Sequence, residues 1–339
     1  MNQKQETLRI GVIGVGRIGI QHAGVVAAQE AVGELILADT DYDRAVQAAS
    51  DLKAKAVKLD DLWGQVDAVV IATPTSTHAE LLRQAIRADL AVFCEKPVAL
   101  DVPTTRAVVA EAAASGLPVQ MGFQRRFDVG YVAARQAVRD GSIGALRRAH
   151  LLTCDPTPPP AQFIPTSGGL FKDCGIHDVD ALRWVTGREV VEVSATGANR
   201  GASFFGEAGD VDEALAWLRL DDDTLATLQL SRYNGAGYDV RMEVAGTAGS
   251  IAVGLDDHTA LKSAEPGVGF PKGPSHPGFY PRFQAAFEAE LAAFVKVATG
   301  QIESPATPGD ALAALLVCEA MGKSRTEGRL VKVAEIAKA

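Results

Sequence analysis

The apolar run from Leu8 to Ile13 delivers the chain directly into Gly14-Val15-Gly16-Arg17-Ile18-Gly19, which opens a helical pattern. Three glycines at that spacing, set between a strand and a helix, constrain the chain more than any property of its composition. The first permits the tight turn, the second lets a ligand approach bare backbone, and the third lets helix and strand pack closely. Amides at the start of a helix lack intrahelical acceptors, and the helix dipole is positive there. The loop is therefore suited to an anion such as a pyrophosphate.

From Leu8 to Met121 short apolar runs alternate with longer helical patterns, which predicts an α/β unit with a doubly wound parallel sheet, the Rossmann arrangement. Strands are expected at 8–13, 34–38, 68–71, 91–94 and 118–121. Thr77 with Glu80 reads as a capping box at the start of a helix that runs to Arg87. Asp39 closes the second strand about twenty residues beyond the glycine loop, where an acid accepts hydrogen bonds from the adenosine ribose. A 2'-phosphate would meet like charge there, so the expected cofactor is NAD, with Arg17 or Arg44 placed to offset that penalty for NADP.

A chain of 339 residues suits two domains, expected at 1–123 and 124–339. The second reads as α+β with a mostly antiparallel sheet. A helix is expected around 131–139, leading into 146–154 and a proline-rich loop at 156–165, and strands at 214–220, 224–231 and 240–245. Helical patterns then follow at 283–299 and 309–323, with a short strand at 329–333. Such a sheet, covered on one face only, leaves an apolar face to bury and points to self-association. The net charge of -9, with no block of Lys or Arg, argues against nucleic acid as a partner. No apolar run approaches a membrane span, and Cys94, Cys154, Cys174 and Cys318 are scattered as thiols would be in a reducing compartment. A cytoplasmic protein is expected.

Two segments carry chemistry. Glu95-Lys96-Pro97 follows a strand of the parallel sheet, so Lys96 emerges at the carboxyl edge, where its ammonium can stabilise a developing alkoxide, and Pro97 suits a cis bond. In the stretch 168–180, Asp173 and His177 stand one helical turn apart if the helical spacing that ends near Gly187 begins early enough. His177 then reads as a general base and Asp173 as the group that orients substrate or imidazole. A zinc site from Cys174 and His177 with His150 or Cys154 lacks a second tight ligand pair, so no metal is expected.

With those residues in place, the chain resembles the Gfo/Idh/MocA oxidoreductase family over nearly its full length, most closely the inositol 2-dehydrogenase branch. The resemblance runs through the loop Gly14 to Gly19, Ala72-Thr73-Pro74 with Thr77-His78, Glu95-Lys96-Pro97 and Gly122-Phe123-Gln124-Arg125-Arg126-Phe127-Asp128. It continues through Asp155-Pro156, Gly168-Gly169 with Asp173 and His177, and Gly209-Asp210-Val211-Asp212. It implies that Lys96, Asp173 and His177 form a catalytic triad, and that the second domain carries an open-faced sheet used to form dimers or tetramers. It implies a cofactor held by Gly14, Gly16, Arg17, Ile18 and Asp39, with Thr73, Pro74, His78, Glu95 and Lys96 lining its nicotinamide half. Gln124, Arg125, Asp155, Asp173, His177 and one aromatic would reach the substrate.

The segment 232–239 departs from the family around that aromatic, so Tyr233 and Tyr238 compete for the place. The implied activity is NAD-dependent oxidation of a secondary alcohol of a cyclic polyol, myo-inositol to 2-keto-myo-inositol. The altered segment leaves a pyranose sugar or a keto-glycoside as the alternative. An NAD-binding sensor without turnover is the non-enzymatic alternative, and the joint presence of Lys96, Asp173 and His177 argues against it.

Overall fold

The computed structural model describes residues 7–338. Its chain divides into two units, one running to Gln124 and including Ala285–Leu312, the other comprising Arg125–Gln284 and the chain from Ala313 onward.

The first unit contains β1 (Leu8–Ile13), α1 (Gly19–Ala27), β2 (Val32–Ala38), α2 (Tyr42–Leu52), β3 (Lys55–Ala56), β4 (Ala68–Ile71), α3 (Thr75–Arg87), β5 (Ala91–Glu95), α4 (Val102–Ser115) and β6 (Val119–Gly122). Its six strands are all parallel, in the order β3-β2-β1-β4-β5-β6. This is the expected Rossmann arrangement. Helices cover both faces, so β4 is buried along all four residues and reads as a continuous apolar run.

The capping box does not form. Helix α3 begins at Thr75 behind Pro74, so Thr77 lies inside its first turn and donates from Oγ1 to the Pro74 carbonyl at 2.8 Å. Glu80 instead accepts from Gln84 and Arg87. A proline ahead of a helix fixes its start, and here it does so three residues earlier than the Thr-Glu spacing suggests. Helix α2 does have a side-chain cap: Asp41 Oδ1 accepts from the Arg44 amide at 3.1 Å.

Beyond residue 125 the elements are α5 (Val129–Arg139), β7 (Leu146–Cys154), α6 (Ile176–Thr186), β8 (Val190–Ala198), α7 (Phe204–Glu207), β9 (Glu213–Leu220), β10 (Leu225–Ser231), β11 (Asp239–Gly246) and β12 (Ser250–Val253), then α8 (Phe279–Ala298), α9 (Pro308–Glu327), β13 (Val331–Lys332) and α10 (Val333–Lys338). The second sheet has the order β12-β11-β7-β10-β9-β8-β13. Every neighbouring pair is antiparallel except β7 and β10, which run parallel. Along β9 the pleat alternates, with Ala214, Ala216, Leu218 and Leu220 buried while Leu215 and Trp217 are 55% and 40% exposed. One face of the sheet is covered and the other is open.

The expected domain boundary needs a correction, because Ala285–Leu312 returns to the first unit. Leu291, Phe294 and Val295 of α8 join the core cluster of Val12, Leu37, Val70 and Phe93, and Gln120 Nε2 donates to the Glu290 carbonyl at 3.0 Å. The helical period of this stretch is legible in sequence, but an apolar stripe does not say which sheet it covers. Among the described residues no helix is long and apolar enough to cross a membrane.

Candidate active site

Strands β2, β1, β4 and β5 are parallel neighbours, so their carboxyl ends reach one edge and bring Asp39, Gly14, Thr73 and Lys96 there. Gly14 has φ +87, and a Cβ on it would come within 2.8 Å of the Ala72 carbonyl oxygen. A Cβ on Gly19 would overlap the Gly14 carbonyl oxygen, whereas one on Gly16 would meet nothing within 4 Å. Two of the glycines thus serve the turn and its packing, and the third leaves open space over the backbone where a pyrophosphate fits. Asp39 Oδ2 accepts from the Val15 amide at 2.9 Å and Oδ1 from the Asp41 amide at 2.9 Å, which fixes the carboxylate beside the loop. Arg44 Nη1 stands 3.5 Å from it. Arg17 is exposed and Ile18 half-buried on the same loop. These residues fit NAD.

Strand β5 delivers Glu95 and Lys96, and the Lys96–Pro97 peptide is cis. Glu95 Oε1 lies 2.7 Å from Nε2 of the buried His22 in α1. Burial opposes the Glu95 charge, but His22, Lys96 and His78 hold its carboxyl below the usual range. His78 is 1% exposed and lies between two carbonyls, Nδ1 at 2.8 Å from Pro97 O and Nε2 at 2.8 Å from Thr73 O. It is packed between the loop after β4 and the loop after β5, where a neutral imidazole donates to one of the two carbonyls.

In the second unit the parallel pairing of β7 with β10 sets Ser231 opposite Cys154, so the next residues, Arg232 and Asp155, leave the sheet at the same edge. Strand β11 starts with Asp239 opposite Cys154, which places Tyr238 at that edge too. The segment Phe171–Gly175 meets them as a π-helical turn that runs directly into α6. Asp173 and His177 are therefore joined through a widened turn, not within one regular α-helix, and π-turns of this kind recur at functional sites. Both side chains are half-buried. The helix ends at Gly187, φ +67, as the sequence suggests.

Arg232 was not anticipated. Its Nη2 donates to Asp173 Oδ2 at 2.6 Å and its Nη1 to Asp155 Oδ2 at 3.1 Å. Burial pushes the Asp155 carboxyl up, with Arg232 pulling against it. Asp155 and Arg232 each directly follow a strand, but the pairing of two strands some seventy residues apart leaves no local trace.

Arg125 points into the interior of the second unit. It is buried, with Nη1 donating to Asp178 Oδ1 at 2.6 Å and Nη2 to Thr153 Oγ1 at 2.8 Å. Its role is to fix α6, because Asp178 directly follows His177. The two tyrosines also separate. The Tyr233 hydroxyl accepts from the Ala202 amide at 3.2 Å and its ring meets Phe205 edge-on. Tyr238 is buried, and burial pushes its phenol well above the usual value, with Asp155 and Cys174 adding to the effect. Tyr238 is thus the aromatic that shares the surroundings of Asp155. Gln124 is buried at 5% exposure. Among the described residues no three His, Cys, Asp or Glu side chains converge as metal ligands.

A glycine loop with an acid beside it and a lysine at the carboxyl edge of the same sheet define a dinucleotide-binding Rossmann unit, the class of a nicotinamide-dependent oxidoreductase, and the second unit carries an Asp-His pair suited to proton transfer. Residues 8–123 match the oxidoreductase family with an NAD-binding Rossmann fold, and residues 131–252 match the Gfo/Idh/MocA C-terminal domain. The chain belongs to the Gfo/Idh/MocA oxidoreductase family, and its first unit binds NAD. Among its relatives, an inositol 2-dehydrogenase of Rhizobium meliloti (strain 1021) is 34% identical over 97% of this chain and 100% of its own. A myo-inositol 2-dehydrogenase of Thermotoga maritima is 36% identical over 97% of this chain and 99% of its own. The crystal structure of scyllo-inositol dehydrogenase from Lactobacillus casei with bound NAD(H) and scyllo-inositol superposes with a TM-score of 0.87 at 31% identity, covering 97% of this chain and 99% of that one.

Proposed function

We propose that this protein oxidises a secondary hydroxyl of a cyclic polyol with NAD, converting myo-inositol to 2-keto-myo-inositol. The observation that carries the reading is the Asp155–Arg232–Asp173 cluster, whose Asp173 stands one turn before His177: two carboxyl acceptors held on one guanidinium donor, suited to a ring of hydroxyls. Relatives named for inositol substrates support it over the whole chain. We assign cofactor binding to the first unit and substrate binding to the second.

The nicotinamide supplies a hydride acceptor when bound. His177 takes the proton of the reacting hydroxyl, Lys96 stabilises the negative charge that grows on its oxygen, and Asp173 favours the imidazolium that results. His22 and Glu95, with His78 at Thr73 and Pro97, hold the backbone from which Lys96 projects. NADH formation is measured with myo-inositol, scyllo-inositol, glucose, xylose and galactose. Turnover on an inositol that disappears in His177→Ala and Lys96→Ala supports the reading, whereas turnover on a pyranose alone replaces it.

We also assign a cytoplasmic homotetramer, built on the open face of the second sheet, where Leu215, Trp217 and Leu225 are exposed. Light scattering that returns a monomer for the native chain rejects this assembly.

A further inference from the structure

Arg232 is only 2% exposed, yet its guanidinium touches three groups of the proposed substrate site. Nη1 lies 3.1 Å from Asp155 Oδ2 and 3.0 Å from Cys174 Sγ, and Nη2 lies 2.6 Å from Asp173 Oδ2. Its backbone is fixed as well, because the Arg232 amide donates to the Asp212 carbonyl at 2.8 Å while the Asp155 amide donates to Ser231 at 2.9 Å. Asp155 and Asp173 are 23% and 20% exposed. Burial and the neighbouring Asp173 push the Asp155 carboxyl up, and the Arg232 guanidinium pulls it back down.

Arg232 lies between the two carboxyls, in contact with both. Burial pushes the Cys154 thiol up to about 12 and the Tyr238 phenol well above its usual value, so both stay neutral. Arg125 faces Tyr238 from the deeper layer, where it is engaged by Asp178. His177 is the second residue of α6, and it must be neutral to accept a proton. Burial works against the Arg232 charge, but Cys174, Asp173 and Asp155 more than offset it, so the guanidinium holds its proton more firmly than usual.

We propose that Arg232 is a positioning residue of the reaction: it holds Asp173 and Asp155 ionised and at fixed separation, one oxygen of each turned toward the guanidinium. Asp173 then keeps the charge that stabilises protonated His177, and Asp155 presents its other oxygen to a substrate hydroxyl. The planar fork matters, because a guanidinium reaches two carboxylates at once and an ammonium on a flexible stem does not. This inference rests on the proposed oxidation of a polyol.

The test compares the full-length native protein with Arg232→Gln and Arg232→Lys. In Arg232→Gln the acid limb of the kcat profile moves up by about one pH unit or more, and KM for myo-inositol rises about tenfold. In Arg232→Lys the acid limb returns toward its native position while KM stays raised, and NAD affinity is unchanged in both variants. A second readout needs no turnover. Without the guanidinium the carboxylates titrate higher in the folded state, so stability falls as pH rises through that window, and the melting deficit of Arg232→Gln grows from pH 5 to pH 8.

A folded Arg232→Gln with a native pH profile and a pH-independent melting deficit overturns the inference. If Arg232→Gln does not fold, native kcat and KM in Arg232→Lys overturn it. Absence of turnover on any cyclic polyol by the native protein defeats the proposed function instead, and the melting comparison still decides whether Arg232 keeps the acids ionised.

Discussion

Arg126 donates to both oxygens of Asp180, Nη2 to Oδ1 at 2.6 Å and Nε to Oδ2 at 2.9 Å, and both side chains are buried. With the neighbouring Arg125–Asp178 pair, this fastens the helix that begins at Ile176 to the turn at 124–127. Removing one partner takes this ion pair from the buried charge that stays. Asp180→Asn is therefore expected to cost about 3–5 kcal/mol, read from denaturant midpoints. Arg126→Met combined with Asp180→Leu is expected to recover much of that loss, since neither charge then remains buried.

The glycines of the nucleotide loop separate folding from binding. A Cβ on Gly16 meets open space, so Gly16→Ala is expected to melt like the native protein yet lose NAD affinity, measured by quenching of protein fluorescence. A Cβ on Gly19 overlaps the Gly14 carbonyl, so Gly19→Ala is expected to lower the melting temperature itself. Equal melting losses in the two variants would contradict this division.

Cofactor choice rests on Asp39, whose carboxylate is 6% exposed beside the Val15 amide with Arg44 3.5 Å away. Asp39→Ser removes the charge that repels a 2'-phosphate and leaves Arg44 to attract one. The ratio of kcat/KM for NADP over NAD is expected to rise about 10- to 100-fold, the range one like-charge contact near a surface commands. An unchanged ratio would place the discrimination elsewhere.

Burial lowers the pKa of His78 below its usual 6.5, against the pull of the Pro97 and Thr73 carbonyls. A depressed folded-state value means that the unfolded chain takes up the proton first. The stability this neutral histidine contributes is complete above about pH 6.5 and is lost as pH falls through the folded-state value. Melting curves of the native protein should drop between pH 7 and pH 5, and those of His78→Asn should drop less over the same range.

The parallel sheet was legible because its elements are local: each strand is a short apolar run, and each site residue at its edge directly follows one. The second unit shows where that legibility stops. Segments 146–154 and 224–231 are readable one at a time, but their parallel pairing creates the Asp155–Arg232 contact, and nothing near either residue announces it. Arg125 misleads for a related reason. Its motif marks a fixed place in the fold, and only the position of Asp178 shows that the side chain points inward. The segment holding Asp173 reads as plain helix because a π-turn leaves the apolar spacing of its neighbours almost unchanged.

The return of residues 285–312 to the first unit has a consequence for how the protein is made. Phe294 and its neighbours cover the face of the sheet that carries Phe93. A nascent chain that has emerged only as far as Gln124 holds all six strands of that sheet but lacks this cover. The nucleotide-binding unit therefore cannot finish before residues 125–284 of the second unit have been synthesised, although its strands come first in the reading frame. A fragment ending at Gln124 will expose Phe93 and aggregate, and supplying the missing helix in trans is the way to keep it in solution.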